Sequence, residues 1–345
     1  MKRILLITAI SFCLGIALGL NNPTLGAEFK PVELKITHYS PIDSPTHNFL
    51  VPWCKMLEER TGGKVKGVIY PMEQLGKMRD FIDMVVAGTV DMANSNVSAY
   101  PGRFPLHCFY ELPFLLPNAK IGSRIMWEMF EKEESLRAEF REVKVLWFHP
   151  MTPAQLFTGK KPVRMFEDLK GLKIRVMGGQ TTEIFKALGA IPVVISPTDA
   201  YVALERGTVD GAVGGWTSLK LFKFSEVTRY ATVANLWCGE FFFIMNKKKW
   251  ESFPPDIQKV IEGMSGLWAG EKTTEGFEKA DLSIIEDLKT GGRHEIITLS
   301  PEERGRWQKA TLPIWDKWVA SVEEKGLPGR KILDETVRLV EKYSK

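Results

Sequence analysis

The side chains able to do chemistry are scattered along this chain and form no catalytic signature. The five histidines, His38, His47, His107, His149 and His294, show no metal-ligand spacing. A zinc hydrolase would set two of them one helical turn apart around a glutamate. There is no Gly-x-Ser-x-Gly nucleophile turn and no phosphate-binding loop. The pairs Gly178-Gly179 and Gly214-Gly215 leave a dinucleotide fingerprint incomplete. His149 follows the apolar run Val145-Leu146-Trp147-Phe148 and reads as an ordinary polar residue. No cysteine lies in a Cys-x-x-Cys pair, so zinc and redox chemistry lack support. Of the four cysteines, the three beyond residue 27, Cys54, Cys108 and Cys238, are odd in number and widely spaced, and read as small buried hydrophobes. A secreted enzyme would need a nucleophile, a metal or a cofactor site. The expectation is a non-enzyme without cofactor or metal, whose side chains bind a molecule rather than transform it.

The elements that must position such a binding site begin after residue 27. Lys2 and Arg3 precede a nearly continuous apolar run from Ile4 to Leu20, and Leu25-Gly26-Ala27 offers small residues before Glu28. This is the layout of a secretory signal peptide, too short and glycine-rich for a comfortable membrane span. Cys13, preceded by Ser11-Phe12, does not read as a lipid-attachment site. Cleavage would remove Lys2 and Arg3 and lower the formal charge from +4 to about +2. That small, mixed charge argues against nucleic-acid partners. The full chain is 44% hydrophobic and 26% charged, ordinary values for a globular protein, and its 345 residues suffice for two domains.

Val32 to Thr37 alternates apolar and polar residues and predicts a half-buried strand. A loop from His38 to Pro45 leads to a predicted helix, His47 to Arg60, stopped by Gly62-Gly63. Lys64 to Tyr70 reads as a strand, Lys77 to Ala87 as a helix ended by Gly88, and Thr89 to Ala93 as a third strand. This is parallel α/β syntax. It returns as strand Lys173–Met177, helix Thr181–Leu188, strand Pro192–Ile195, a helix starting at Ser196-Pro197, and strand Thr208–Val213. Gly88-Thr89-Val90-Asp91 and Gly207-Thr208-Val209-Asp210 occupy the same place in each half. Two similar lobes are expected, with a ligand cleft beyond the carboxyl ends of their strands. Phe241 to Met245 predicts an apolar strand. Asp256 to Lys289 predicts one helix of roughly 50 Å, long enough to run along both lobes. Glu302 to Lys325 and Arg330 to Tyr343 read as closing helices.

The most specific stretch is Glu167-Asp168-Leu169-Lys170-Gly171-Leu172-Lys173-Ile174-Arg175-Val176. Together with Ala187-Leu188-Gly189-Ala190, Gly207-Thr208-Val209-Asp210-Gly211, Glu111-Leu112-Pro113-Phe114-Leu115 and Lys325-Gly326-Leu327-Pro328-Gly329, it closely resembles the solute-binding subunit of tripartite ATP-independent periplasmic (TRAP) transporters, in the dicarboxylate-binding-protein-like family. The resemblance covers essentially the whole chain after residue 27. It implies a periplasmic-binding-protein-like α/β fold: two lobes around a cleft, joined by crossing strands, with a long helix spanning both. The implied organisation is a signal peptide at 1–27, lobe I from 28–152 plus 241–280, and lobe II with the C-terminal helices from 153–240 plus 281–345. The implied partners are a small-molecule carboxylate and a membrane permease of small and large subunits, driven by an ion gradient.

Arg175 matches the carboxylate-binding arginine of that family. Without the motif it would read as a surface arginine ending a strand. With it, a guanidinium supplies two parallel donors to a carboxylate and keeps its charge at any relevant pH. The sequence departs from the commoner pattern elsewhere. A frequent second arginine is replaced at Ala154, between Pro153 and Gln155. A frequent Asn-Pro is replaced by Gly214-Gly215 followed by Trp216. A frequent glutamate is replaced by Asn96, and a frequent phenylalanine by Pro197. One cation and one amide are lost and an indole is gained. The expected ligand is therefore a monocarboxylate with an aromatic or branched apolar group. Arg175 would hold its charge, Gly214 would make room, and Trp216 would stack on its body or else pack in the core. Gln155 and Asn96 would supply hydrogen bonds, and Tyr39 would line the first-lobe wall. The alternatives are a dicarboxylate-binding TRAP subunit and a sensory binding protein of the same fold.

Overall fold

In the computed structural model, residues 29–345 are described, so the expected signal peptide lies outside the described residues. Eleven strands form two sheets: β1 Val32–His38, β2 Val65–Tyr70, β3 Met92–Asn96, β4 Val143–Pro150, β5 Gln155–Thr158, β6 Lys173–Val176, β7 Ile191–Val194, β8 Gly211–Gly214, β9 Tyr230–Val233, β10 Glu240–Asn246 and β11 Glu295–Thr298. The first sheet has the order β2-β1-β3-β10-β4 and the second β11-β9-β5-β8-β6-β7. In each sheet the first strand of a strand–helix–strand–helix–strand unit lies parallel between the other two. β1 pairs with β2 and β3, and β6 with β7 and β8. The strands that close each unit are antiparallel to it: β10 beside β3 and β5 beside β8.

The sequence repeat has a structural cause. Gly88 and Gly207 take left-handed φ values of 76° and 69° and end their helices. Thr89 N–H and Val90 N–H both point back to Met84 O, and Thr208 and Val209 N–H to Ala203 O. The aspartate then bonds the start of the neighbouring strand. Asp91 Oδ2 accepts from Lys35 N–H and Asp210 Oδ2 from Lys173 N–H, both at 2.8 Å. Val90 and Val209 plug the core beneath. The Thr-Val-Asp segment is thus a turn, not the first half of a strand. β3 and β8 begin at Met92 and Gly211, later than periodicity alone predicts.

The expected long helix is broken. Pro255–Glu262 ends, and a second helix runs Gly266–Gly291. Between them Met264 is fully buried, its carbonyl accepting from the Trp53 indole at 2.8 Å, and Gly266 turns the chain with φ 64°. At 1.5 Å per residue the 26-residue second helix still spans roughly 39 Å. It serves both lobes. Thr274 bonds Ser123 of the first lobe at 2.8 Å, Asp281 accepts from Thr217 N–H of the second at 3.0 Å, and Ile284 and Leu288 join the second lobe's core.

The C-terminal helices make contacts with both lobes. Glu303 in the Pro301–Thr311 helix accepts from Phe166 N–H in the second lobe. Pro313 starts a separate helix, Pro313–Glu323, whose Trp315 and Trp318 indoles donate to Pro113 O and Pro105 O of the first lobe, each at 3.0 Å. Gly329–Ser344 then lies on the helix Ala119–Lys132, where Tyr343 bonds Glu128. The first lobe's core is aromatic, with Phe104, Phe140, Phe148 and Phe242 ringing a fully buried His107–Glu240 pair (2.8 Å). Burial opposes charge on His107, but Glu240, Glu139 and the Leu136 carbonyl together raise the imidazole pKa.

Candidate functional site

Two stretches of chain cross between the lobes, β4 into β5 and β9 into β10. They pair with each other: Met151 N–H donates to Gly239 O, Ala154 N–H to Trp237 O and Leu236 N–H to Ala154 O, at 2.9, 2.9 and 3.0 Å. This ribbon forms the back wall of a cleft. The side walls come from the carboxyl ends of the parallel strands. β1 delivers Tyr39, β3 delivers Asn96, β6 delivers Arg175 and Met177, and β8 delivers Gly214. An inner chamber of about 50 Å³ among them continues into an outer chamber of about 300 Å³, bounded by Glu73 and Lys77 of one lobe and Ser196 and Asp199 of the other.

Arg175 is 3% exposed. Its Nε donates to Ile195 O at 2.8 Å, which fixes the plane of the guanidinium. Its Nη2 is buried and meets no protein acceptor. Burial pulls its pKa down to about 10, opposed by Tyr39, so the group remains a cation at neutral pH. A buried guanidinium with donors unused attracts an anion of matching shape. Burial likewise pushes the Tyr39 phenol up to about 12 and keeps it neutral. Tyr39 stacks on Phe241 at 6.1 Å, Phe241 on His149 at 5.3 Å, and His149 on Phe277 at 5.7 Å. His149 is thus a stacked core residue behind the wall, its pKa lowered to about 3 by burial.

Of the six residues singled out in the sequence, the structure brings Arg175, Tyr39, Asn96 and Gly214 to one chamber. Asn96 Oδ1 accepts from Ala99 N–H at 3.1 Å and shapes the turn after β3. Gln155 turns away. Its oxygen accepts from Ala234 and Asn235 N–H, and its nitrogen donates to Pro153 O and Asn235 Oδ1, so its hydrogen-bonding groups bind the crossing ribbon instead of a solute. Trp216 also turns away. It packs in the second lobe's core, edge-to-face on Phe157 at 5.8 Å. The indole at the chamber is Trp237, on the crossing ribbon. Its sequence signal was its place just before β10, where the chain returns to the first lobe.

Glu111 was also missed as a lining residue, although it opens the Glu-Leu-Pro-Phe-Leu motif. It is 1% exposed and lines the inner chamber. Ser98 Oγ donates to its Oε1, while Oε2 is buried without a partner. Burial raises its pKa to about 7. The remaining wall is mostly apolar, from Met151, Met177, Phe222, Phe241 and Trp237. Among the described residues, no group of three or more His, Cys, Asp or Glu is placed to hold a metal ion, and no helix is long and apolar enough to cross a membrane.

Similar proteins carry this architecture. The model of bacterial extracellular solute-binding proteins, family 7, matches residues 36–321. A TRAP solute-binding protein of Rhodoferax ferrireducens, solved with copurified benzoate, is 28% identical with a TM-score of 0.86, covering 91% of this chain and 98% of that one. One from Bordetella bronchiseptica, solved with bound (R)- and (S)-mandelate, is 27% identical with a TM-score of 0.84, covering 91% and 100%. The C4-dicarboxylate-binding periplasmic protein DctP of Rhodobacter capsulatus is 26% identical over 308 residues, 88% of this chain and 90% of its own length. The match to the family model spans most of the sequence, and the two-lobed fold with its cleft agrees with it throughout: the chain belongs to family 7 of the bacterial extracellular solute-binding proteins, as a solute-binding subunit of the TRAP type.

Proposed function

We propose that this protein is exported by its N-terminal segment, captures a monocarboxylate with an aromatic or branched apolar body, and delivers it to the small and large subunits of a TRAP permease. The observation that carries the ligand class is the buried Arg175 guanidinium, its Nη2 unpartnered, inside a chamber walled by Tyr39, Phe241 and Trp237. One fixed cation answers one carboxylate. Flat aromatic walls suit a ring, adding about 0.5–1.5 kcal/mol per aromatic pair beyond area burial. The benzoate and mandelate of the two structural neighbours are acids of this kind.

A dicarboxylate is the second reading, favoured by the relative from Rhodobacter capsulatus and by Lys77 and Arg79 in the outer chamber. Lys77 is already paired with Glu73 at 3.0 Å, and the inner chamber offers Glu111 opposite Arg175's charge, which disfavours a second carboxylate there. Mass spectrometry of the protein as purified, followed by calorimetry after ligand removal, separates the two. An aromatic or branched monocarboxylate is expected; a dicarboxylate bound more tightly would replace the first reading with the second. Arg175→Ala is expected to keep the fold, by circular dichroism, and to weaken acid binding about a hundredfold or more, since truncating one partner of a buried charge pair costs about 2–5 kcal/mol. Near-wild-type affinity would remove Arg175 from the site.

A further inference from the structure

The seating of a carboxylate on Arg175 leaves one polar group of the inner chamber unexplained. Glu111 is buried, and its two oxygens are unequal. Oε1 is occupied by the Ser98 hydroxyl, and Oε2 meets no donor. A buried carboxyl oxygen without a donor is costly, and more so when ionised. Among the described residues no lysine or arginine acts on it; Glu240 is the charged neighbour that does, and raises its pKa further. The oxygen also lies at the seam of the two lobes. A Cβ on Gly179, across the cleft, would come within 3.5 Å of it. A solute enclosed between the lobes would supply such a donor.

We infer that Glu111 is a specificity-determining residue that accepts a hydrogen bond from a hydroxyl on the ligand, so that the solute class is a hydroxy-substituted monocarboxylate. This rests on the reading that a carboxylate sits on Arg175. The two ends of the solute then meet opposite chemistry. Its carboxylate faces donors, and its hydroxyl faces an acceptor held in place by Ser98. A second carboxylate at the hydroxyl's position would meet Glu111 without a counter-ion. A methoxy group there would present only acceptors to an acceptor. Hydrogen bonds to a charged group are among the stronger ones in proteins, so the hydroxyl is worth about tenfold or more in affinity.

The test uses the full protein, freed of bound ligand, at pH 8, where Glu111 is mostly ionised. Calorimetry compares matched acids: 3-hydroxybenzoate, 3-methoxybenzoate and benzoate, and mandelate against phenylacetate. In at least one series the hydroxy acid is expected to bind about tenfold or more tightly than its partner lacking a donor. Equal affinities in both series would overturn the inference while leaving Arg175 and the monocarboxylate reading intact. No binding by any of these acids would remove both. Glu111→Gln adds the residue to the argument. With Ser98 donating to the amide oxygen, the amide nitrogen replaces Oε2 and turns an acceptor into a donor. The gap between hydroxy and methoxy acids is expected to fall below about threefold. A gap that persists in folded Glu111→Gln would assign the hydroxyl to another group and overturn the inference. Should that variant not fold, the wild-type comparison of hydroxyl with methoxy decides by itself.

Discussion

Arg175 and Glu111 face the same chamber and are opposite in sign, yet they respond to burial in one way: each is driven toward its neutral form. For Arg175 the pull stops at about 10 and leaves the cation intact. For Glu111 the rise from 4.5 to about 7 crosses the working range and has a consequence for stability. The unfolded chain releases this proton near pH 4.5 and the folded chain near 7. Between those values the native state holds more protons, so the contribution of Glu111 is full below pH 4.5 and is lost as pH rises through 7. The whole swing is about 3 kcal/mol, since each tenfold change in proton affinity is worth about 1.4 kcal/mol. Ligand-free Glu111→Gln should therefore gain stability relative to wild type on going from pH 4.5 to pH 8, by up to about 3 kcal/mol in urea titrations. A pH-independent difference would mean that the buried carboxyl keeps an ordinary pKa.

At the scale of elements, the two Gly-Thr-Val-Asp turns are the devices that end a helix, plug the core and tie a strand to its neighbour. Each aspartate makes a charge-assisted bond to a strand N–H, but their surroundings differ. Asp91 is 8% exposed and also meets Lys249 at 3.4 Å, whereas the Asp210 bond to Lys173 N–H is exposed. Water competes with the second bond and hardly with the first. Asp91→Ala is expected to lower stability by about 1.5–3 kcal/mol and Asp210→Ala by less than about 1 kcal/mol. The turns sit in different lobes, so the double variant should equal the sum within about 0.5 kcal/mol. Equal single losses, or strong coupling, would mean that the turns act through something other than these local bonds. Sequence periodicity located both turns but assigned them to strands, because Val90 and Val209 carry the apolar signal of a strand while their N–H groups close a helix end.

At the scale of the molecule, the crossing ribbon joins the two lobes and walls the ligand chamber. Met151, Trp237 and Gly239 belong to it and line the inner chamber. An engineered cavity of about 150 Å³ takes up benzene, and the inner chamber has about 50 Å³. The expectation is that the lobes part about this ribbon to admit a ring and close on it afterwards. Small-angle scattering should show a smaller radius of gyration for the ligand-bound protein than for the ligand-free one, and no such change for Arg175→Ala at the same acid concentration. An unchanged radius in the wild type would mean a cleft that binds without closure. The long Gly266–Gly291 helix sets a limit on this motion, since its first half is bonded to one lobe at Ser123 and its second to the other at Thr217.

Local order was legible in the sequence. The two parallel units, the helix stops at glycine and the motif around Arg175 depend on short-range periodicity, turn chemistry and residue type. Tyr39 was singled out by its place at the end of the first strand, and Arg175, Asn96 and Gly214 by comparison with the family pattern; the structure sets all four around one chamber. What only the tertiary structure decided was direction. Trp216 and Trp237 are both indoles near a crossover. One meets Phe157 in a core and the other meets the chamber, and no local pattern separates them. Gln155 and Glu111 differ in the same way. Each is a buried polar side chain, and whether its oxygens find partners depends on backbone that lies 79 residues away for Gln155 and on a hydroxyl 13 residues away for Glu111. At the break between the two helices, the Met264 carbonyl likewise finds its partner in an indole 211 residues earlier. Secondary structure is fixed by neighbours in the chain, whereas the satisfaction of a buried polar atom is fixed by neighbours in space.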